Sequence, residues 1–237
     1  MSENIKLELS EFDQYADEYY NQHSNNISIS GESPDFFSEY KIKDMAAALS
    51  HESMLNKVIL DFGCGIGNSI PYIQKYFPTS KHIFTDVSQR SLDIAAQRFP
   101  SAESRLTLIK NDVIPLAGNS VDVVFTACVF HHINHSAHTY WLSELKRIVK
   151  PNGYIFIFEH NPYNPLTVRA VNTCAFDVNA KIIKAQQLKK NILKSGWIQT
   201  SITYRIFFPR LLSKLRFLEA YIKRIPLGAQ YFIMARK

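Results

Sequence analysis

Three carboxylates, Asp61, Asp86 and Asp112, recur at intervals of 25 and 26 residues, each closing a short apolar run. Directly after the first comes Gly63-Cys64-Gly65-Ile66-Gly67, opening into a helical pattern at Asn68. Glycines in such a loop permit tight turns and let the backbone approach a ligand, while the helix that follows offers free N–H groups. The spacing is G-x-G-x-G rather than the G-x-G-x-x-G of dinucleotide-binding turns. Asp61 at the end of the preceding run would repel a pyrophosphate and attract an ammonium, directly or through water. A carboxylate at Asp86 can accept both hydroxyls of a ribose, the role given to an acid about 20 residues beyond such glycines. Asp112 can accept from an exocyclic adenine amine while Val113 packs on the ring. Each aspartate alone is an ordinary loop or cap residue. Three at successive strand ends, on the edge where open α/β sheets bind ligands, form a site.

Histidines supply the other chemistry, since imidazole exchanges protons near neutral pH. His131 and His132 follow the fourth apolar run, His160 follows the fifth, and His23 lies near the N-terminus. The strand-end positions favour His131 first and His160 second as proton acceptors. An exposed or structurally hydrogen-bonded role is the ordinary explanation for any one of them. His131, His132 and His135 are adjacent loop residues, a poor basis for one ligand sphere, and no metal is expected.

These residues need a frame. Apolar runs at 57–62, 81–86, 105–110, 121–127 and 153–159 alternate with helical patterns at 68–77, 88–99 and 138–150. This is the signature of βαβ units and a mostly parallel sheet. A polar loop with two prolines follows at 160–178, carrying Glu159, His160, Asn161, Asn164, Arg169, Asn172 and Asp177 in or beside it. It reads as a loop tied down by Asn and Pro turns or as the wall of a substrate pocket. A helix near 180–195, a β-rich stretch at 197–208, a basic amphipathic helix at 210–224 and a strand near 229–236 complete the chain, with an antiparallel edge expected there. Upstream, Phe12, Tyr15, Tyr19 and Tyr20 form a helical aromatic stripe, followed by a second helix at 35–50. Residues 1–50 are expected to form a helical cap or lid on a catalytic domain at 51–237.

The series LDFGCGIG (60–67), FTDVS (84–88), KNDV (110–113) and DVVFTACVFHHI (122–133) resembles the motifs of class I S-adenosylmethionine-dependent methyltransferases, in particular their small-molecule, ubiquinone-biosynthesis-like group. The resemblance implies a Rossmann-like α/β fold: a seven-stranded, mostly parallel sheet with an antiparallel last strand and helices on both faces. It places Asp61, Gly63, Cys64 and Gly65 at the methionine moiety, Asp86 at the ribose with Val87 beside the adenine, and Asp112 and Val113 at the adenine. Cys128 falls where the backbone faces the sulfonium, and Tyr15 and Tyr20 where a helix covers the cofactor. It implies S-adenosylmethionine as cofactor and S-adenosylhomocysteine as product.

A chain of 237 residues suits one α/β domain with a small cap and leaves no separate recognition domain, which favours a small-molecule acceptor. No apolar run reaches the roughly 20 residues of a membrane span, and the acidic opening lacks the apolar region of a secretory signal. Cys64, Cys128 and Cys174, odd in number and far apart, fit a reducing cytoplasm. The net charge of +6 is uneven: residues 1–40 carry nine acids against Lys6, and 205–224 six cations against Glu219. These segments read as solvated or mutually attracting faces; a contact of 210–224 with anionic lipid is the sharper reading. Nucleic acid is not expected, for want of interleaved aromatic and basic residues. The expected activity is in-line methyl transfer to a small molecule, at oxygen. The alternatives are a catalytically idle cofactor-binding module acting through partners and an NAD-dependent oxidoreductase, which Asp61 and the glycine spacing oppose.

Overall fold

A computed structural model describes residue 27, residues 30–174, residue 177 and residues 179–237. Tyr15, Tyr20, the rest of the aromatic stripe and His23 lie outside the described residues. The described part of the N-terminal region is α1 (Pro34–Ala48), started by proline in its first turn and by Ser33, whose side chain accepts from the Phe36 N–H. Then come β1 (Val58–Phe62), α2 (Ile70–Tyr76), β2 (Lys81–Asp86), α3 (Gln89–Arg98) and β3 (Leu106–Leu108). They are followed by β4 (Val121–Ala127), α4 (His138–Ile148), β5 (Val149–His160), α5 (Pro165–Asn172), α6 (Ala185–Lys194), β6 (Ile198–Arg205), α7 (Glu219–Ile222) and β7 (Gln230–Arg236).

The strands form one seven-stranded sheet in the order β3-β2-β1-β4-β5-β7-β6. The first five pair in parallel, and β7 pairs antiparallel with both β5 and β6. The central strands are nearly continuous apolar runs because helices cover both faces. One face packs α4 and α6 through Trp141, Leu145, Leu188 and Trp197. The other packs α1, α2 and α3 through Phe37, Met45, Ile73 and Leu92. The chain winds outward from β1 to β3 and then returns to place β4 on the other side of β1. That reversal opens a crevice at the strand ends, directly above Asp61 and Cys128.

The sheet ends in antiparallel pairing as expected, with β7 inserted between β5 and β6 and β6 at the edge. Two expectations change. The 160–178 stretch contains a helix, α5, whose first turn is capped by Asn164 accepting from the Thr167 N–H at 3.1 Å. The 210–224 segment is a 3-10 helix over Arg210–Leu218 followed by the short α7, not one α-helix packed on the core. Leu211 is 92% exposed, Phe217 67% and Tyr221 84%. No helix among the described residues is long and apolar enough to cross a membrane.

Candidate active site

The crevice holds a cavity of about 210 Å³. One wall is the glycine loop, whose three glycines all have positive φ: Gly63 at +77°, Gly65 at +53° and Gly67 at +81°. The Gly63 and Cys64 N–H groups donate to the Thr85 carbonyl at 2.8 and 2.9 Å, tying the loop to the end of β2. A Cβ on Gly63 would stand 2.4 Å from the Val129 side chain, so the loop is pressed against the segment after β4. A Cβ on Gly65 would meet nothing within 4 Å, and this glycine lines the cavity. Backbone is thereby laid bare where a ligand can approach it.

Two buried carboxylates flank the loop. Asp86 accepts from the Gly65 N–H at 2.8 Å and from the Ser88 N–H at 2.9 Å, shaping loop and α3 entry together. Asp61 accepts from the Ser69 hydroxyl. Burial pushes the Asp61 carboxyl up to about 7; the Ser69 bond opposes this, Asp86 adds to it, and Lys41 opposes it. A buried carboxyl so poised takes a cation readily, because a nearby positive charge restores the ionised form.

A histidine–carboxylate cluster forms another part of the lining. Glu159, fully buried near the end of β5, accepts from the Val129 and Phe130 N–H groups at 3.1 and 2.7 Å and pairs with His131 Nδ1 at 2.6 Å. His131 Nε2 stands 3.4 Å from Asp177 Oδ1, and His132 Nε2 stands 3.3 Å from the same oxygen. Burial opposes charge on His131, but Glu159 and Asp177 outweigh it and hold the imidazole well above its usual range. Burial pushes Asp177 up, yet its hydrogen bonds with His131 and His132 hold it far below the usual carboxylate range. Burial, with the charge of His131, lowers His132. Cys128 takes φ +59°, and Lys41 Nζ lies 3.8 Å from its sulfur. Burial pushes the thiol up, but His160 and Lys41 bring it down to about 7. Tyr40 donates to Gln230, whose amide nitrogen is 3.5 Å from His160 Nδ1.

Of the residues expected from sequence, Asp61, Gly63, Cys64, Gly65, Asp86, Val87, Cys128, His131 and His160 all line this one cavity. Asp112 and Val113 do not. After the three-residue β3 the chain turns through Asn111 and Asp112, both at positive φ, which leaves Val113 48% exposed and the Asp112 carbonyl accepting from Tyr140. Sequence reasoning gave no role to Lys41 or Ser69, and it offered Glu159 and Asp177 only as part of a polar segment that could wall a substrate pocket. A signal existed for Lys41: it lies midway between Phe37 and Met45 at four-residue steps, on the buried face of α1. His138 and His135 are structural: the first bonds the Phe130 and Ile133 carbonyls, the second reaches the Lys181 carbonyl.

Residues 60–155 match the family model described as a methyltransferase domain. Demethylmenaquinone methyltransferase of Chlamydia caviae is 33% identical, over 44% of this chain and 44% of its own length. An uncharacterized methyltransferase of Schizosaccharomyces pombe is 33% identical, over 41% of this chain and 37% of its own. This chain therefore spans less than half the length of these curated relatives. The crystal structure of an S-adenosylmethionine-dependent methyltransferase of Thermotoga maritima superimposes with a TM-score of 0.64 at 16% identity, over 96% of this chain and 99% of that one. Over residues 60–155 the chain is therefore similar to the methyltransferase-domain family, and its fold is that of an S-adenosylmethionine-dependent methyltransferase.

The methyltransferase match begins one residue before Asp61 and ends before Glu159, His160 and Asp177. It therefore takes in the glycine loop, Asp86 and Cys128, while most of the histidine–carboxylate wall lies beyond it. The loop wall suits the methyltransferase cofactor: Gly65 leaves backbone open to a ligand, and buried Asp61 suits an ammonium.

Proposed function

We propose that this protein transfers a methyl group from S-adenosylmethionine to an oxygen of a small-molecule acceptor. One observation carries the reading: a glycine loop suited to the donor, histidines and Asp177 suited to an acceptor hydroxyl, and Cys128 all line a single cavity. When bound, S-adenosylmethionine supplies the methyl group already activated on sulfur, so the protein has to align the acceptor with it, exclude water and accept a proton. Asp61 binds the ammonium of the methionine moiety, Gly63, Cys64 and Gly65 contact that moiety through backbone, and Asp86 accepts the ribose hydroxyls with Val87 beside the base. Cys128 faces the sulfonium. At the acceptor end, His160 takes the proton of the hydroxyl, and His131, whose charged form its two carboxylates favour, attracts the oxygen as it becomes negative. In this reading residues 1–50 serve as the cap of a catalytic domain at 51–237.

Incubation with methyl-labelled S-adenosylmethionine and a protein-free metabolite extract tests this reading. Label is expected in a small, organic-extractable product that resists mild base treatment, as an ether does. Label found solely in precipitable protein or nucleic acid, or none beyond a no-enzyme control, overturns it.

The Asp61 assignment gives a pH dependence. Without cofactor the Asp61 carboxyl titrates at about 7, far above the usual carboxylate value of about 4. Below that pH the folded protein carries a proton which the cofactor ammonium must displace, so binding releases a proton and strengthens as pH rises to 7, then levels. Calorimetric titration with S-adenosylhomocysteine from pH 5.5 to 8 is expected to show about a tenfold gain per pH unit below 7 and little above. Asp61→Asn is expected to flatten the profile. A flat wild-type profile removes Asp61 from the ammonium site.

A further inference from the structure

The histidine–carboxylate wall is built as a ligand set rather than as a proton relay alone. His131 Nε2, a nitrogen of His160 and a carboxylate oxygen of Asp177 lie within 4.8 Å of one another. The 3.4 Å between His131 Nε2 and Asp177 Oδ1 is close to what two donors on one tetrahedral ion require, since bonds of about 2.0–2.1 Å set neighbouring ligands roughly 3.3 Å apart. His160 needs only a side-chain adjustment on the order of 1 Å to complete the set. Behind His131 stands a second layer. Its Nδ1 is engaged by Glu159 at 2.6 Å, and Glu159 is itself held by two backbone N–H groups, so Nε2 is the nitrogen turned toward Asp177. A carboxylate behind a histidine, with the other ring nitrogen turned outward, is how metal-binding imidazoles are oriented. The charges agree. Asp177 and Glu159 are two buried carboxylates on either side of the His131 ring, and an ion at Nε2 would take the place of a proton there. His132 Nε2, 3.3 Å from Asp177, is a fourth donor within reach.

We propose that His131, His160 and Asp177 bind a divalent transition-metal ion, with Glu159 orienting His131 and the remaining coordination positions open to the cavity. Two imidazoles and one carboxylate suit zinc, iron, cobalt or nickel, whereas magnesium and calcium prefer all-oxygen sets. Resting on the methyltransferase reading, the inference also narrows the acceptor to a molecule with an oxygen, or two adjacent oxygens, able to bind the ion as an anion. In the metal-bound protein His131 and His160 are ligands in place of the proton-handling roles given above: the acceptor binds as its oxyanion, its proton having passed to water, and the methyl group then goes from sulfur to that oxygen.

Titration of the metal-stripped protein with Co²⁺ and Zn²⁺ decides the matter. One equivalent of Co²⁺ is expected to bind with visible d–d absorption and to be displaced by Zn²⁺, while Mg²⁺ in large excess displaces neither. Asp177→Asn and His160→Ala are each expected to weaken Zn²⁺ binding by about 100-fold or more. His160 is only partly buried, so its variant remains informative if the Asp177 variant fails to fold. Absence of stoichiometric Co²⁺ and Zn²⁺ binding, or affinity unchanged in the folded His160 variant, overturns the proposal. S-adenosylhomocysteine titration of the same samples separates the two readings. Normal cofactor binding without metal binding defeats the metal site alone, and metal binding without cofactor binding defeats the methyltransferase assignment alone.

Discussion

Asp86→Ala is expected to weaken S-adenosylhomocysteine binding by a factor of roughly 30 to 1,000, measured by calorimetric titration, while the protein stays folded. Both carboxylate oxygens face groups that matter to a nucleoside. One holds the Gly65 N–H at 2.8 Å, the other the Ser88 N–H at 2.9 Å, and Asp86 lines the cavity beside Val87. A ribose placed there donates two hydroxyls to a carboxylate, and each charge-assisted bond is worth about 1.5–3 kcal/mol. Discounting for water that replaces the sugar in the free protein leaves about 2–4 kcal/mol, which sets the quoted factor. Alanine also frees the Gly65 N–H, so part of the loss comes from a loop no longer held in its binding shape. Asp86→Asn keeps one accepting oxygen and is expected to lose less. Affinity within threefold of wild type in the alanine variant would remove Asp86 from the cofactor site.

The two walls of the cavity differ in how much of them the sequence shows. The donor wall is local: a strand, a glycine loop and a helix start lie within a dozen residues, and Asp86 follows at the end of the next strand. The acceptor wall is assembled by tertiary structure. His131 and His160 are visible as residue types at strand ends, yet what they do depends on Glu159, whose side chain crosses to the chain after β4, and on Asp177, which arrives from beyond α5. Neither contact has a local sequence signal. Spacing was also a poorer guide where a strand was shorter than its apolar run: β3 ends at Leu108, two residues at positive φ follow, and Asp112 and Val113 are not among the residues that line the cavity. The position of β7 was hidden for a related reason. Alternating hydrophobicity identifies a strand and its buried face but does not name its neighbours. The apolar stripe of 210–224 likewise shows that residues share a face, not that anything covers it, and among the described residues Leu211, Phe217 and Tyr221 remain exposed beside Arg210, Lys214 and Arg224.

Glu159→Ala is expected to cost about 3–5 kcal/mol of folding stability, lowering Tm by roughly 8–16 °C in a thermal melt. Three donors converge on this one fully buried carboxylate: the Val129 and Phe130 N–H groups on one oxygen and His131 on the other. Removing it strands two buried backbone donors and leaves the His131 ring with Asp177 as its remaining carboxylate partner, and an orphaned buried donor costs about 1–3 kcal/mol. The burial is complete, so water cannot replace the lost bonds without opening the joint between β4 and β5. Glu159→Gln is the informative partner. Its amide oxygen can still accept from the two N–H groups, while its nitrogen faces His131 and withdraws the negative charge. If the carboxylate matters chiefly as a brace for the chain after β4, glutamine should recover most of the lost Tm. If it matters chiefly as the counter-charge of His131, glutamine should melt almost as early as alanine. A fall in Tm of less than about 2 °C for alanine would mean that the Glu159 bonds contribute little beyond what water provides, against the cost expected for buried donors.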